Sequence, residues 1–273
     1  LFVTIKDFFL NSQYSILNTP YICVMLSLDP KELKISVLHQ YLLHAVAPRP
    51  IAFASTIDKN GKQNLSPFSF FNVFSANPPV VIFSPALSGR TGKTKNTFDN
   101  VKEVGEVVIN IVNYDLVHQM SLTRAEYEKG VNEFVKAGLT EIPSVKIKPA
   151  RVKEAPVQLE CVVKNIIELG NEGGAGNLVI CEVVMLHVDE KILNPETKMI
   201  DQQKIDLVSR LGGDWYCRAS GNALFKIAKP LTTIGIGVDG MPEHIRCSKV
   251  RTGNHLGQLG NVEKIPSNEE VQH

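Results

Sequence analysis

The side chains best suited to bind a ligand lie together in one short segment, residues 88–94, which reads SGRTGKT. Three cations in and just after this segment, Arg90, Lys93 and Lys95, stand among three hydroxyl side chains, just before the predicted helix NTFDNVKEVG. Cations, hydroxyls and the free N–H groups of a helix N-terminus are the donors that a phosphate dianion requires. The segment therefore predicts a phosphate site, with a solvated basic turn as the alternative.

The same segment is similar to the phosphate-binding loop of nucleotide hydrolases, but its spacing argues against that interpretation. That loop needs a glycine five positions before its Gly-Lys-Thr, so that the backbone can wrap round the phosphates. The chain has Leu87 at that position. The hydrolase fold also needs a parallel βαβ sheet, whereas turns join the strands predicted here. A phosphate bound by this segment would therefore belong to another kind of ligand.

The elements that must position the segment are mostly β-strands. Alternating side chains predict a hairpin that starts near Ile51 and turns at residues 59–61, and VVIFS predicts the strand before the candidate phosphate segment. Two long strands, PVQLECVVKNIIEL and NLVICEVVMLHV, flank the glycine-rich turn GNEGGAGN. Strands paired through turns, with few helices between them, predict an antiparallel barrel or sandwich with helical decoration.

The charge balance excludes two classes of partner. The chain has 273 residues, with 29 Lys and Arg against 28 Asp and Glu, and a formal net charge of +1. This balance predicts no binding of nucleic acid and no binding to a membrane surface. The five cysteines are scattered without a CxxC pair, and the histidines form no metal-binding motif. We therefore expect reduced thiols, a cytoplasmic location and no metal.

The sequence divides into three expected parts. Residues 1–28 are expected to be an N-terminal extension, because polar residues interrupt every apolar run before it reaches a membrane-spanning length; a poorly formed signal peptide is the alternative. Residues 29–229 are expected to form one domain. Residues 230–273, rich in glycine, proline and asparagine, are expected to form a tail that packs on the domain or on a partner subunit.

Six segments, taken in order, resemble the flavin reductase-like family, whose fold is an FMN-binding split barrel. They lie between about residue 48 and residue 213 and read PRPIAFASTID, NLSPFSFFNVFSANPPVVIFSP, NTFDNVKEVGEVVINIVN, GVNEFVKAGL, APVQLECVV and VICEVVMLHVDE. The resemblance implies a mainly β fold with α decoration (α+β), an antiparallel Greek-key split β-barrel. It also implies a homodimer that binds FMN in preference to FAD and acts as an NAD(P)H-dependent flavin reductase. NADH or NADPH would donate the electrons, and an oxygenase or redox protein would accept them.

The resemblance implies that the segment SPFSFFN binds the polar edge of the flavin ring. Its extended backbone at Ser69, Phe70 and Phe71 would bind the pyrimidine edge, and Asn72 would add a side-chain amide. The N–H groups of this strand would stabilise the charge that develops when the ring accepts hydride. No catalytic side chain is therefore expected.

Hydroxyls and cations elsewhere would bind the rest of the cofactor. Ser55 and Thr56, on the neighbouring strand, would offer hydroxyls to the ribityl chain or the phosphate. The resemblance adds phosphate contacts from the turn after the next strand, at Ser84, Arg90, Thr91, Lys93 and Thr94. Arg49, between two prolines, either touches the phosphate or lies at the surface.

Other interpretations stay open. Many family members carry a Gly-Asp-His turn associated with the nicotinamide nucleotide, and this chain has GNEGGAGN there. A flavin-binding redox protein, such as an FMN electron carrier resembling flavoredoxin, is therefore an alternative, and pyridoxal phosphate is an alternative ligand. Trp215 and Tyr216 either cover the flavin or lie in the dimer interface, and His187 is expected to be a hydrogen-bonded structural residue.

Overall fold

Antiparallel strands dominate the computed structural model, which describes residues 25–89, 91–125, 127–128, 130–227, 229–230 and 236–262. In chain order the strands are β1 (Ala52–Ile57), β2 (Gln63–Phe68), β3 (Phe71–Ala76), β4 (Pro79–Phe83), β5 (Glu106–Ile111), β6 (Glu141–Ile142), β7 (Arg151–Val152), β8 (Val157–Glu168), β9 (Asn177–Val188), β10 (Val208–Arg210) and β11 (Tyr216–Arg218). Seven of them form one sheet in the order β2-β1-β5-β8-β9-β4-β3. The pairs β6–β7 and β10–β11 form two small ribbons.

The order of the strands forces the large sheet to curl. β2 and β3 are its opposite edges, yet only Ser69 and Phe70 separate them in sequence. A flat sheet of seven strands would hold its edges about 29 Å apart, whereas the link between β2 and β3 reaches about 11 Å at most. The two edges must therefore meet at this link. The Ser84 N–H donates to the Phe70 carbonyl at 2.8 Å and fixes the junction between them.

Strand β1 is buried on both faces, which explains the apolar residues at its first three successive positions. Ala52 and Ala54 face a cluster inside the curled sheet that contains Phe83 and Ile109. Phe53, which points the other way, belongs to a second cluster under the helices. A strand covered on both sides needs apolar residues at successive positions, because neither face meets water.

Short helices cover part of this barrel. They are α1 (Ile35–Ala45), α2 (Asn96–Val104), α3 (Val117–Leu122), α4 (Glu133–Ala137), α5 (Gln202–Ile205), α6 (Glu243–Arg246) and α7 (Gly253–Gly260). α2 packs on β1 and β2, and α3 and α4 pack on β2. None of the helices in the described ranges is both long enough and apolar enough to cross a membrane.

Candidate functional site

A basic cavity of about 150 Å³ lies where four elements meet: the end of β2, the N-terminus of α2, helix α3 and the β10–β11 ribbon. Its apolar wall is formed by Ile51, Pro67, Phe68, Met120 and Tyr216. The polar side chains that line it are Ser69, Lys95, Arg124 and Arg210. Three of these are cations, and the lining has no carboxylate. The cavity therefore places a cluster of positive charge beside apolar side chains, which suits the anionic end of a ligand.

Two of the cations lie over aromatic rings of the cavity wall. The Lys95 Nζ lies 5.4 Å from the centre of the Phe68 ring, and Lys95 is also the N-cap residue of α2, with no side-chain cap bond. The Arg210 guanidinium lies 4.6 Å from the centre of the Tyr216 ring and donates to the Gly213 carbonyl. An uncapped helix N-terminus beside these charges adds to the preference for an anion.

The segment predicted to bind the flavin edge borders this cavity. Ser69 lines it, and Phe70 is exposed beside it, with its carbonyl already bonded to Ser84. Phe71 is half-buried against the barrel core, and Asn72 is exposed, with its Oδ1 accepting from the neighbouring Val73 N–H. β3 is an edge strand, so half of its backbone groups point away from β4. Of the predicted segment, only Ser69 and the two residues before it line the cavity, and β3 itself does not.

The two hydroxyls predicted for the ribityl chain or the phosphate are buried and point to opposite faces of β1. The Thr56 Oγ1 accepts from the amides of Asn64 at 3.4 Å and Asn100 at 3.1 Å. The Ser55 Oγ has no hydrogen-bond partner among the described residues and is fully buried. A covering element would therefore have to move before either hydroxyl could touch a ligand, because both faces of β1 are covered.

The candidate phosphate segment forms a closed turn. The Ser88 N–H donates to the Lys93 carbonyl at 3.0 Å, the Gly92 N–H donates to the Ser88 carbonyl at 2.8 Å, and the Ser88 Oγ accepts from Thr91. The turn thus uses several of its own donors. The side chains of Thr91, Lys93 and Thr94 are exposed, and these residues do not line the cavity. Arg90 lies outside the described residues.

Ser84, the other residue predicted for the phosphate, connects the strand β4 to the glycine-rich turn. Its Oγ is buried and accepts from the Asn177 N–H at 3.0 Å. A Cβ added to Gly176 would lie 2.9 Å from this oxygen, and one added to Gly173 would lie 3.1 Å from the Ser88 carbonyl oxygen. Glycines 173 and 176 therefore let the turn pack closely against the segment after β4.

Arg49 points behind the cavity wall instead of into the cavity. Its guanidinium is buried and donates to three backbone carbonyls, those of Leu43, Val46 and Leu211. In this structure these carbonyls are the hydrogen-bond partners of the guanidinium.

Lys95, Arg124 and Arg210 line the cavity. The basic run around Lys93 marks Lys95 as a cation suited to a phosphate, whereas Arg124 and Arg210 were not among the predicted site residues. Arg124 and Arg210 are distant in sequence from SPFSFFN, and no local pattern marks them. Only the packing of α3 and of the β10–β11 ribbon brings them to the site.

His187 and Cys181, which lie outside the cavity lining, have the character of structural residues. The expected hydrogen bond of His187 is confirmed: its Nε2 lies 2.7 Å from the buried Glu160 carboxylate. Burial raises the pKa of the Cys181 thiol to about 12, so this thiol stays protonated and unreactive at neutral pH. Within the described ranges, His, Cys, Asp and Glu side chains form no group that could hold a metal ion.

Curated relatives match most of this chain. The sequence model described as "Flavin reductase like domain" matches residues 43–204, more than half of the chain. An uncharacterized protein of Aquifex aeolicus is 36% identical over 198 residues, which are 72% of this chain and 97% of the relative. The protein YwrF of Bacillus subtilis is 32% identical over 182 residues, which are 66% of this chain and 88% of that relative.

Solved structures agree with the sequence match. Nitrilotriacetate monooxygenase component B from Bacillus cereus superposes with a TM-score of 0.69 at 33% identity, over 75% of this chain and 99% of that one. A protein from Shewanella frigidimarina, assigned as a flavin reductase with a split barrel domain, superposes with a TM-score of 0.61 at 26% identity, over 73% of this chain and 95% of that one. The predicted α+β antiparallel split barrel is thus confirmed, and the chain belongs to the flavin reductase-like family.

Proposed function

We propose that this chain binds FMN and acts as an NAD(P)H-dependent flavin reductase. The observation that carries the proposal is the basic cavity, which joins an apolar and aromatic wall to three cations beside the Ser69–Phe70 link. FMN has the matching sequence of surfaces, a flat apolar ring, a polar chain and a terminal phosphate. A nucleic acid or a metal has no corresponding feature in the described part of the chain.

Different residues at the cavity would bind different parts of the cofactor. Lys95, Arg124 and Arg210 would bind the phosphate, with the N-terminus of α2 beside them. The open edge of β3 and the Ser69 hydroxyl would bind the pyrimidine edge. Tyr216 and Phe70 would exclude water from the ring. A bound flavin supplies the hydride-accepting ring system, so the protein contributes orientation and electrostatics and needs no acid or base of its own.

A bound electron carrier is the second candidate function, and one feature favours it. The turn between β8 and β9 has neither the Asp nor the His of many family reductases, and it is packed against the segment after β4. The Gly174 N–H donates to the Leu87 carbonyl at 3.0 Å, and the Leu87 N–H donates to the Ala175 carbonyl at 2.8 Å. This close packing leaves the turn less able to bind a nicotinamide nucleotide. Flavoredoxin from Desulfovibrio vulgaris shares the fold at 22% identity and a TM-score of 0.57.

The proposed partners are a second copy of the chain and an electron acceptor. Apolar side chains on β9 and on α1 are exposed, and a second subunit would cover them. We also propose that residues 29–229 form the domain and that the tail after Pro230 packs across the dimer. The name of the Bacillus cereus relative, component B of a monooxygenase, suggests an oxygenase as the acceptor of electrons.

The proposal is tested by the visible spectrum of the purified chain before and after anaerobic addition of NADH and then NADPH. A flavin spectrum that bleaches with either nucleotide supports the reductase and names its donor. A flavin spectrum that does not bleach supports the carrier. A pyridoxal-type spectrum, or a colourless protein that takes up no added FMN, contradicts both.

A further inference from the structure

The buried Arg49 connects three parts of the cavity wall without entering the cavity. Its guanidinium donates to the carbonyls of Leu43 at 2.6 Å and Val46 at 2.5 Å, where α1 ends. It also donates to the Leu211 carbonyl at 2.9 Å, in the turn of the β10–β11 ribbon. Its Nε lies 3.5 Å from the Ser69 Oγ, which lines the cavity. One side chain thus holds a helix end, a hairpin and the link between the two sheet edges.

The backbone of Arg49 adds a second connection, directly to a cavity cation. The Arg49 N–H donates to the Arg210 carbonyl at 2.9 Å, and the Arg210 N–H donates to the Arg49 carbonyl at 2.8 Å. The guanidinium then fixes the next residue, Leu211. The starting point of the Arg210 side chain is therefore set by three hydrogen bonds to Arg49.

The charge of Arg49 is not neutralised by its partners. All four acceptors around its guanidinium are neutral, three carbonyls and one hydroxyl. Burial, and then the nearby charge of Arg210, lower the pKa of Arg49. A buried cation of this kind adds to the positive potential of the cavity in front of it, because less water screens it there.

We propose that Arg49 is a positioning residue for the proposed flavin site: it fixes Arg210 and Ser69 from behind and supports the bound phosphate with its charge. This inference rests on the proposed function. A purely structural arginine would stabilise the fold without affecting how Arg210 acts on a ligand. The two roles therefore differ in the coupling between Arg49 and Arg210.

The test is a titration of the full chain with FMN, followed by flavin fluorescence, in the wild type and in Arg49→Lys, Arg49→Met, Arg210→Met and the double variants. Lysine keeps the charge but cannot span the carbonyls on both sides. We expect the Kd for FMN to rise about ten-fold in each Arg49 variant. We also expect Arg210→Met to have a markedly smaller effect when Arg49 is already replaced, because the turn that carries Arg210 has then lost the guanidinium bond to Leu211 and keeps only its two backbone bonds to residue 49.

The matched control is Arg151→Lys. Arg151 likewise donates to a backbone carbonyl, that of Pro143, and to the Gln158 side chain, and it does not line the cavity. This variant should lower the melting temperature and leave the Kd for FMN unchanged. If Arg49→Met does not fold, the double-mutant cycle of Arg49→Lys with Arg210→Met takes its place. The criterion is again whether the effects of the two substitutions on the Kd for FMN add.

The outcomes separate the two proposals. Arg49 variants that bind FMN like the wild type, or whose effects simply add to that of Arg210→Met, overturn the positioning role and leave the proposed function intact. A wild-type chain that takes up no FMN overturns both.

Discussion

Two lysines on one short segment differ in what their side chains can reach. Both lysines are exposed, but Lys93 belongs to the closed turn and does not line the cavity, whereas Lys95, the N-cap residue of α2, lies over the Phe68 ring and lines the cavity. A two-residue difference in sequence thus decides which of them borders the candidate site. The direction of a side chain depends on where the helix begins, and a run of basic residues does not reveal that point.

We expect Lys95→Ala to weaken FMN binding by about 1.5–3 kcal/mol, the range for a hydrogen bond to a charged group. The matched control is Lys93→Ala, two residues away, which should change affinity little because its side chain does not line the cavity. Isothermal titration of both variants with FMN is the measurement. An equal or larger effect of Lys93→Ala would instead place the phosphate at the turn.

The buried carboxylate of Glu160 holds a loop onto the end of the barrel. It accepts from the N–H groups of Val145 and Lys146, each at 2.7 Å, and lies beside His187. Burial alone would raise the pKa of Glu160, but these hydrogen bonds and His187 outweigh it and hold the pKa below its ordinary value of 4.5. The ionised form is therefore bound more strongly in the folded chain than in the unfolded chain.

The stability that Glu160 contributes should be fully present above its ordinary pKa and should be lost as the pH falls through the lower pKa of the folded state. We expect Glu160→Gln to reduce the free energy of unfolding at pH 7 by about 3 kcal/mol and to weaken its dependence on pH in acid. Urea denaturation between pH 7 and pH 3 measures both. Glu154→Gln, an exposed carboxylate that accepts from the Thr140 N–H, is the control and should change little. If the free energy of unfolding of Glu160→Gln fell in acid as steeply as that of the wild type, the role assigned to Glu160 would be contradicted.

At the scale of elements, the glycine-rich turn between β8 and β9 acts as a packing surface for the segment after β4. Gly176 approaches the Ser84 Oγ so closely that a methyl group would lie 2.9 Å from it. That oxygen is held by the Asn177 N–H, and it cannot move without breaking the bond. The turn therefore fixes the loop that leads to α2 and Lys95.

We expect Gly176→Ala to lower the free energy of unfolding by about 1–3 kcal/mol, the usual cost of overpacking. Gly89→Ala is the control, since an added Cβ there would meet no atom within 4 Å. Thermal melting of the two variants gives the comparison. Equal melting temperatures would show that the turn can shift to accept the methyl group.

The strands were predictable because their pattern is local. Alternation along β8 and β9, and the turn residues between strands, mark a hairpin wherever it lies in the fold. The closure of the barrel and the position of Arg210 could not be predicted from local pattern, because 140 residues separate Arg210 from Phe70 in sequence. The burial of Ser55 and Thr56 could not be predicted from local pattern either. Their hydroxyls suit a ligand, but elements packed on both faces of β1 bury them.

At the scale of the whole molecule, two apolar surfaces lack a covering layer among the described residues. α1 has no buried residue, although Ile35, Tyr41 and Leu42 lie on it. On β9, Val184 and Leu186 are exposed, although β9 lies between β8 and β4 in the sheet. Apolar surface of this kind on a central strand is a common mark of a subunit interface.

We expect Leu186→Asp to convert a dimer into a monomer, because a charge buried at an interface loses its hydration without gaining a partner. Leu186 is 55% exposed in the single chain, and Val135 on α4, 75% exposed, provides the control as Val135→Asp. Sedimentation velocity of both variants and of a chain truncated after Pro230 gives the masses. A monomeric wild type would contradict the homodimer, and an unchanged dimer mass and melting temperature after truncation would contradict the packing of the tail across it.

The link at Ser69 and Phe70 joins the first edge of the sheet to the last, and the cavity lies at this seam. A ligand held between Ser69, the N-terminus of α2 and the β10–β11 ribbon would connect these parts of the barrel by its contacts. Opening the seam would then require loss of the ligand, so binding would be coupled to the unfolding of the whole sheet and not to the movement of one loop. A cofactor bound in this way would be part of the architecture of the barrel.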